Sequence, residues 1–292
     1  MNWNDKKRVL SIIPHINYME LKNLTDLSDD EEVMTAAVKE NPNAFVFASA
    51  RLRDNEELVL KAVSKDGMGF LLKNAGPNVR DNEKIVMAAI KSDEFSLQFA
   101  SDRLKNDKHI VLAAVRRNGR ALKYADQILK SDRDVVLTAV RGGVDNGYGL
   151  CYADPIYLQD REVVIAAVSS TADVLQYVSP DLRADKTVVR AAVRECYPAI
   201  VYASEKLQKD RDFILSLAKE QIGILQYVDL RFVFDRKFLI DALAGKPEYL
   251  ADGSQYIEYI LKERTYQLLA SVKSSVEEIN KNQGQPSCNI KK

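Results

Sequence analysis

Few side chains among the 292 residues are of a kind and spacing that break or form bonds. The two histidines, His15 and His109, have no metal-binding partner three or four residues away, the spacing that sets two ligands on one helix face. Cys151, Cys196 and Cys288 are odd in number and widely spaced, which gives neither a disulfide framework nor a zinc pattern. Cys151 adjoins the glycine-rich run 142–149 and is the one reactive-thiol candidate. A nucleophilic thiol needs a lowered pKa, so a free structural cysteine is the plainer reading. The glycine-rich run lacks the Lys-Ser or Lys-Thr that a phosphate loop requires. No catalytic residue, metal site or cofactor is expected, and the chain reads as a non-enzyme.

Binding chemistry has more to work with. Aromatic residues recur at Phe47, Phe99, Tyr124, Tyr152, Tyr177, Tyr202 and Tyr227. The five tyrosines from Tyr124 onward are candidates to line a groove for an extended peptide, since tyrosine is favoured at interfaces. The alternative, and the preferred reading, packs each ring between neighbouring repeats. Bases recur too, at Lys39, Lys91, Arg116, Arg141, Arg194 and Lys219, where a helix C-terminus would welcome positive charge. Residues 103–141 hold ten bases and four acids, and residues 26–57 hold nine acids and three bases. Arg116, Arg117, Arg120, Lys123 and Arg141 form a candidate basic patch for an acidic protein, a phosphoinositide or a nucleic acid; an unevenly charged solvated surface is the plainer account.

These residues are positioned by an internal repeat. Asp107-Lys-His-Ile-Val-Leu-Ala-Ala-Val115 returns as Asp132-Arg-Asp-Val-Val-Leu-Thr-Ala-Val140, and again from Asp160 and Asp185. Looser copies start at Asp30, Asn55, Asn82, Asp210 and Asp235, with spacings of 25, 27, 25, 25, 28, 25, 25 and 25 residues. The leading Asp or Asn suits a helix N-cap, which explains the recurring carboxylates without catalysis. Apolar residues at unit positions 4, 5, 8 and 9 share one helix face. A turn and a second segment, Ala121-Leu-Lys-Tyr-Ala125 with Leu129, read as a second short helix. So small a pair cannot bury its face alone and must stack on neighbours. The expected fold is an all-α solenoid of about nine 25-residue helix-turn-helix repeats over 29–252. Residues 1–28, which do not match the repeat, are assigned to an N-terminal helical cap, 253–281 to C-terminal capping helices and 282–292 to a disordered tail. Insertions are placed within 74–81 and at 142–149.

Lys plus Arg and Asp plus Glu both number 42, so the net charge is zero, which disfavours a protein coated in nucleic acid. No apolar run has the length of a transmembrane helix, and the cysteine usage suits a reducing cytoplasm.

The tandem Asp-x-x-Val-Val-Leu-Ala-Ala-Val and Ala-Leu-x-Tyr-Ala pattern resembles the repeats grouped as domain of unknown function 4116, over about residues 29–252. Such repeats occur in bacteria, including intracellular pathogens that export effectors, so the resemblance implies a repeat protein and allows export into a host cell. It implies no reaction. The resulting expectation is a non-enzymatic repeat protein that binds another protein. An anionic-ligand binder acting through residues 103–141 and an enzyme built on Cys151 are the alternatives.

Overall fold

The computed structural model describes residues 5–15, 20, 22–23, 25–141, 146–243 and 262, within two compact units, Met1–Arg183 and Ala184–Lys292. Every regular element among the described residues is helical and none is a strand, so the all-α repeat class holds. Apart from Lys262, the expected C-terminal cap and tail lie outside the described residues.

Repeat 4 shows how the sequence builds a unit. The Asp107 carboxylate accepts from the amides of His109 (2.8 Å) and Ile110 (3.1 Å), satisfying two donors that a helix start leaves free. Helix Lys108–Arg117 then buries Ile110, Val111, Ala114 and Val115, the residues of positions 4, 5, 8 and 9. Burying each of the larger ones contributes about 1.5–3 kcal/mol. The same four positions are buried in all nine repeats, from Val33 to Leu243.

The second half of the unit departs from the expected single helix. Asn118 is extended (φ −151°, ψ 116°), and its side chain accepts from Arg120 N at 3.0 Å. One residue therefore ends the first helix and caps the 3₁₀ helix Gly119–Tyr124. Ala125 is extended again, and Asp126 caps a separate four-residue α-helix, Gln127–Lys130. Tyr124 and Leu129 thus lie on different segments. The cause is tertiary: Asp126 N–H donates to Lys105 O of the preceding repeat at 3.0 Å, and a continuous helix would use that amide internally. Equivalent bonds run from Ser49 to Ser28, Gly76 to Arg53, Ser101 to Arg80, Asp154 to Lys130 and Ser179 to Leu158, at 2.7 to 3.0 Å.

Both insertions fall at one point, between the first helix and the 3₁₀ helix. The placement of the first within 74–81 is corrected: helix Glu56–Val63 ends early, and the extra residues occupy the turn before Gly69–Asn74. Gly67 in that turn has φ 72°, a left-handed conformation that glycine adopts without strain. The second insertion precedes the 3₁₀ helix Asn146–Tyr152, with 142–145 outside the described residues. Gly119 and Gly147 are packing glycines. A Cβ on them would stand 2.0 Å from Ala139 O and 2.3 Å from Ala167 O respectively, so each lets its 3₁₀ helix press on the next repeat.

The N-terminal segment is helical, as expected of a cap, yet it keeps the repeat's register. Asp5, 25 residues before Asp30, caps helix Lys6–Ile12 by accepting from Arg8 N at 3.2 Å. Val9 and Ile13 are buried at positions 5 and 9, whereas Arg8, at the position where later repeats bury an apolar residue, is exposed. That polar substitution hides the repeat from sequence comparison.

In the second unit, repeats 7 and 8 keep the three-segment plan, and repeat 9 supplies helix Arg236–Leu243. Leu217 replaces the small residue at position 8 and is buried, as is Phe213 at position 4.

Candidate functional site

Most of the candidate charge is already spoken for. Bases at unit position 2 reach forward to the capping carboxylate of the next repeat: Lys6 to Asp30 (2.9 Å), Lys108 to Asp132 (2.8 Å), Arg133 to Asp160 (3.3 Å), Lys186 to Asp210 (2.7 Å) and Arg211 to Asp235 (3.6 Å). The sequence carries this as an Asp-Lys or Asp-Arg pair at repeat starts, a signal overlooked when each Asp is treated as a cap alone. The Lys186 ammonium and the Phe213 amide hold the Asp210 carboxyl below its ordinary range. Arg103 likewise spans Asp81 (3.0 Å) and Glu83 (3.3 Å). Each such surface pair contributes about 0–1 kcal/mol. Their larger consequence is that they remove free positive charge from residues 103–141.

The five residues of the predicted basic patch have different surroundings. Arg117 faces Glu94 at 3.7 Å and Arg141 faces Glu162 at 2.9 Å. Arg116 is exposed, and Lys123 sits over the Tyr124 ring at 5.8 Å. Arg120 alone turns into a cavity, with its guanidinium 4.4 Å from the centre of the Tyr148 ring.

That cavity, of about 750 Å³, is the candidate site; its walls include Arg120, Tyr148, Cys151, Tyr152, Leu158 and Tyr177. The stacked 3₁₀ helices of repeats 4, 5 and 6 build it. Their register is set by Asn146, 2% exposed, whose side-chain oxygen accepts from Gly119 N at 3.1 Å. Gly147 N donates to Thr171 Oγ1, also at 3.1 Å. Below them Tyr157 is buried, its hydroxyl donating to Ser131 O at 2.6 Å, which ties repeat 5 to repeat 4.

The members of the aromatic series have different surroundings. Tyr152 and Tyr177 line the cavity, and Tyr177 is 51% exposed. Tyr124 is half-buried and meets Phe95 edge-on, with ring centres 6.4 Å apart. Tyr202 and Tyr227 are half-buried in the second unit. Tyr148 was missed because it belongs to another register, unit position 14, which carries Phe70, Phe95, Arg120 and Tyr148 in repeats 2 to 5.

Cys151 stands at the cavity wall. It is exposed at the cavity mouth, yet partial desolvation there pushes its thiol pKa up, against the opposing pull of Arg120. A thiol shifted that way is protonated at neutral pH and a poor nucleophile. No group of His, Cys, Asp and Glu that could hold a metal occurs among the described residues, and no described helix is long and apolar enough to cross a membrane.

The caps of these repeats coincide with matches to a family model, the domain of unknown function DUF4116, at residues 30–80, 82–130, 107–158, 132–183, 160–208 and 185–232. The chain belongs to the DUF4116 family. Each DUF4116 match spans two 25-residue repeats, and every match starts on a capping Asp or Asn seen in the structure. The overlapping matches step by one repeat, so the DUF4116 unit is a pair of the physical units described above. No curated protein and no solved structure matches the chain.

Proposed function

We propose that this DUF4116 protein is a non-enzymatic helical-repeat module that binds another protein, with the repeat 4–6 cavity as its docking point. The observation carrying this reading is an aromatic-walled cavity, half open at Tyr177, with one cation, Arg120, among its described walls. Tyrosine and arginine are the residues that concentrate binding energy at protein interfaces. The anionic-lipid or nucleic-acid alternative has less support, because Lys108, Arg117, Arg133 and Arg141 already face carboxylates. The Cys151 enzyme alternative is weakened by the raised thiol pKa. Export into a host cell follows only from the family resemblance, and the cavity would serve a cytoplasmic partner equally well.

A photo-crosslinking amino acid at position 177 of the full chain tests the proposal. Irradiation in lysate should give a discrete protein adduct that is absent when the crosslinker replaces exposed Lys84, on another face. Adducts of equal yield at both positions, or none at 177, would overturn it.

A further inference from the structure

Arg120 shares with Arg116, Lys123 and Lys130 the lack of a carboxylate partner among the described residues, and of these four it alone lines the cavity. Lys108, Arg103, Arg133 and Arg141 each have a carboxylate within 3.3 Å. Arg120 has none among the described residues, and its Nε is shut off from water without a hydrogen-bond partner. It occupies unit position 14, where repeats 2, 3 and 5 place Phe70, Phe95 and Tyr148. The guanidinium lies over the Tyr148 ring at 4.4 Å, which fixes its plane. A planar, pre-oriented guanidinium is suited to two parallel bonds with a carboxylate. Among the described residues it is the only charged one in the cavity wall.

Around that single charge the surface is apolar. Leu158, Tyr152 and Tyr177 complete the wall. Ile156, next to the wall residue Pro155, is 67% exposed, and Ile128 at the equivalent place in repeat 4 is 68% exposed. Isolated exposed apolar residues are ordinary, and Ile156 is the one of the two that adjoins the cavity wall in sequence.

Building on the protein-binding reading, we propose that the cavity recognises a linear segment of the partner carrying a carboxylate next to bulky apolar side chains. The carboxylate pairs with Arg120, and an apolar side chain enters between Tyr152, Leu158 and Tyr177. Charge complementarity selects this occupant. One guanidinium matches one carboxylate, whereas a nucleic acid or an anionic membrane draws its affinity from several free bases at once, and no second base lines the cavity among the described residues.

Panning a random twelve-residue peptide library displayed on phage over the full chain tests this. The selected peptides should be rich in Asp or Glu flanked by Phe, Tyr, Trp or Leu. Replacing the peptide acid by its amide, or making Arg120→Gln in the protein, should weaken binding about 10- to 100-fold, as expected for a charge-assisted bond. The two changes together should cost no more than either alone. Arg120→Gln is checked for folding by circular dichroism, and Arg120→Lys, which keeps the charge but loses the fork, should fall between. Peptides that are lost with Tyr177→Ala but show no acid preference and ignore Arg120→Gln would overturn the inference while sparing the cavity as a protein-binding site. Peptides indifferent to both Tyr177→Ala and Arg120→Gln, or none at all, would sink the cavity reading itself. Arg120-dependent binding of polyuridine RNA or phosphatidylserine vesicles in place of peptides would also overturn both.

Discussion

Repeats 2 and 5 are the two that carry inserted residues, and they use them differently. Both lengthen the turn between the first helix and the 3₁₀ helix, and both follow it with a glycine, Gly69 or Gly147, pressed against a carbonyl of the next repeat. Repeat 2 then sets Phe70 under Lys73 at 5.3 Å. Repeat 5 sets Tyr148 under Arg120 of the repeat before it and opens a cavity. The insertion is thus a shared packing solution, and the site arises from which side chain the preceding repeat offers. At position 14, repeat 1 offers the short Asn43, whereas repeat 4 offers an arginine long enough to reach across.

The largest test of the shared part is steric. A Cβ at Gly69 would sit 2.2 Å from Ala89 O, and one at Gly147 2.3 Å from Ala167 O. Gly69→Ala and Gly147→Ala should each destabilise by about 1–3 kcal/mol, the usual cost of overpacking, with a lower melting temperature by circular dichroism. Equal losses would sharpen the view that both insertions serve packing. A harmless Gly69→Ala would break the parallel.

A smaller effect should separate a charged cap from a neutral one near these sites. Asp132, between repeats 4 and 5, both caps its helix and faces Lys108; Asn82 caps without a charge. Burial alone would raise the Asp132 pKa, but Lys108 and the Val135 and Asp134 amides outweigh it and hold the carboxyl below its ordinary range. Its contribution is therefore fully present above the unfolded-state pKa and is lost as pH falls through the lower folded-state value. Asp132→Ala and Asn82→Ala should each cost about 1 kcal/mol at pH 7. Only the Asp132 penalty should shrink on acidification below about pH 4, the ordinary aspartate range; equal penalties at pH 7 and pH 3 would remove the charge from the account.

The smallest effect is chemical and confined to repeat 5. Because partial desolvation raises the Cys151 pKa and Arg120 opposes it, iodoacetamide should modify Cys151 more slowly than free cysteine at pH 7.5. Arg120→Gln should slow it further. Acceleration by that variant, read by intact-protein mass spectrometry, would mean that the arginine shields the thiol more than it polarises it.

Much of this was legible residue by residue. Asp107 announced a helix start because a carboxylate two or three residues before free amides is a local arrangement. Ile110, Val111, Ala114 and Val115 announced a buried face because helical geometry puts that spacing on one side. The first insertion was misplaced because Leu71-Leu72-Lys73-Asn74 lacks the tyrosine that marks the second segment elsewhere. The N-terminal repeat escaped because Arg8 replaces a core residue. A count of bases does not say which of them, like Lys108, meets a carboxylate one repeat later.

The sequence by itself therefore determined the period, the caps, the buried helix face and the absence of a recognisable catalytic motif, all of which follow from interactions within about ten residues. Only the tertiary structure decided that the unit has three segments, which carboxylate a base such as Lys108 or Arg133 meets, and that Arg120, Tyr148 and Tyr177 share a cavity. Each of those depends on a contact between repeats. Its register is fixed by single hydrogen bonds, such as Gly119 to Asn146, and by the close approach of Gly119 to Ala139, which no pattern within one repeat encodes.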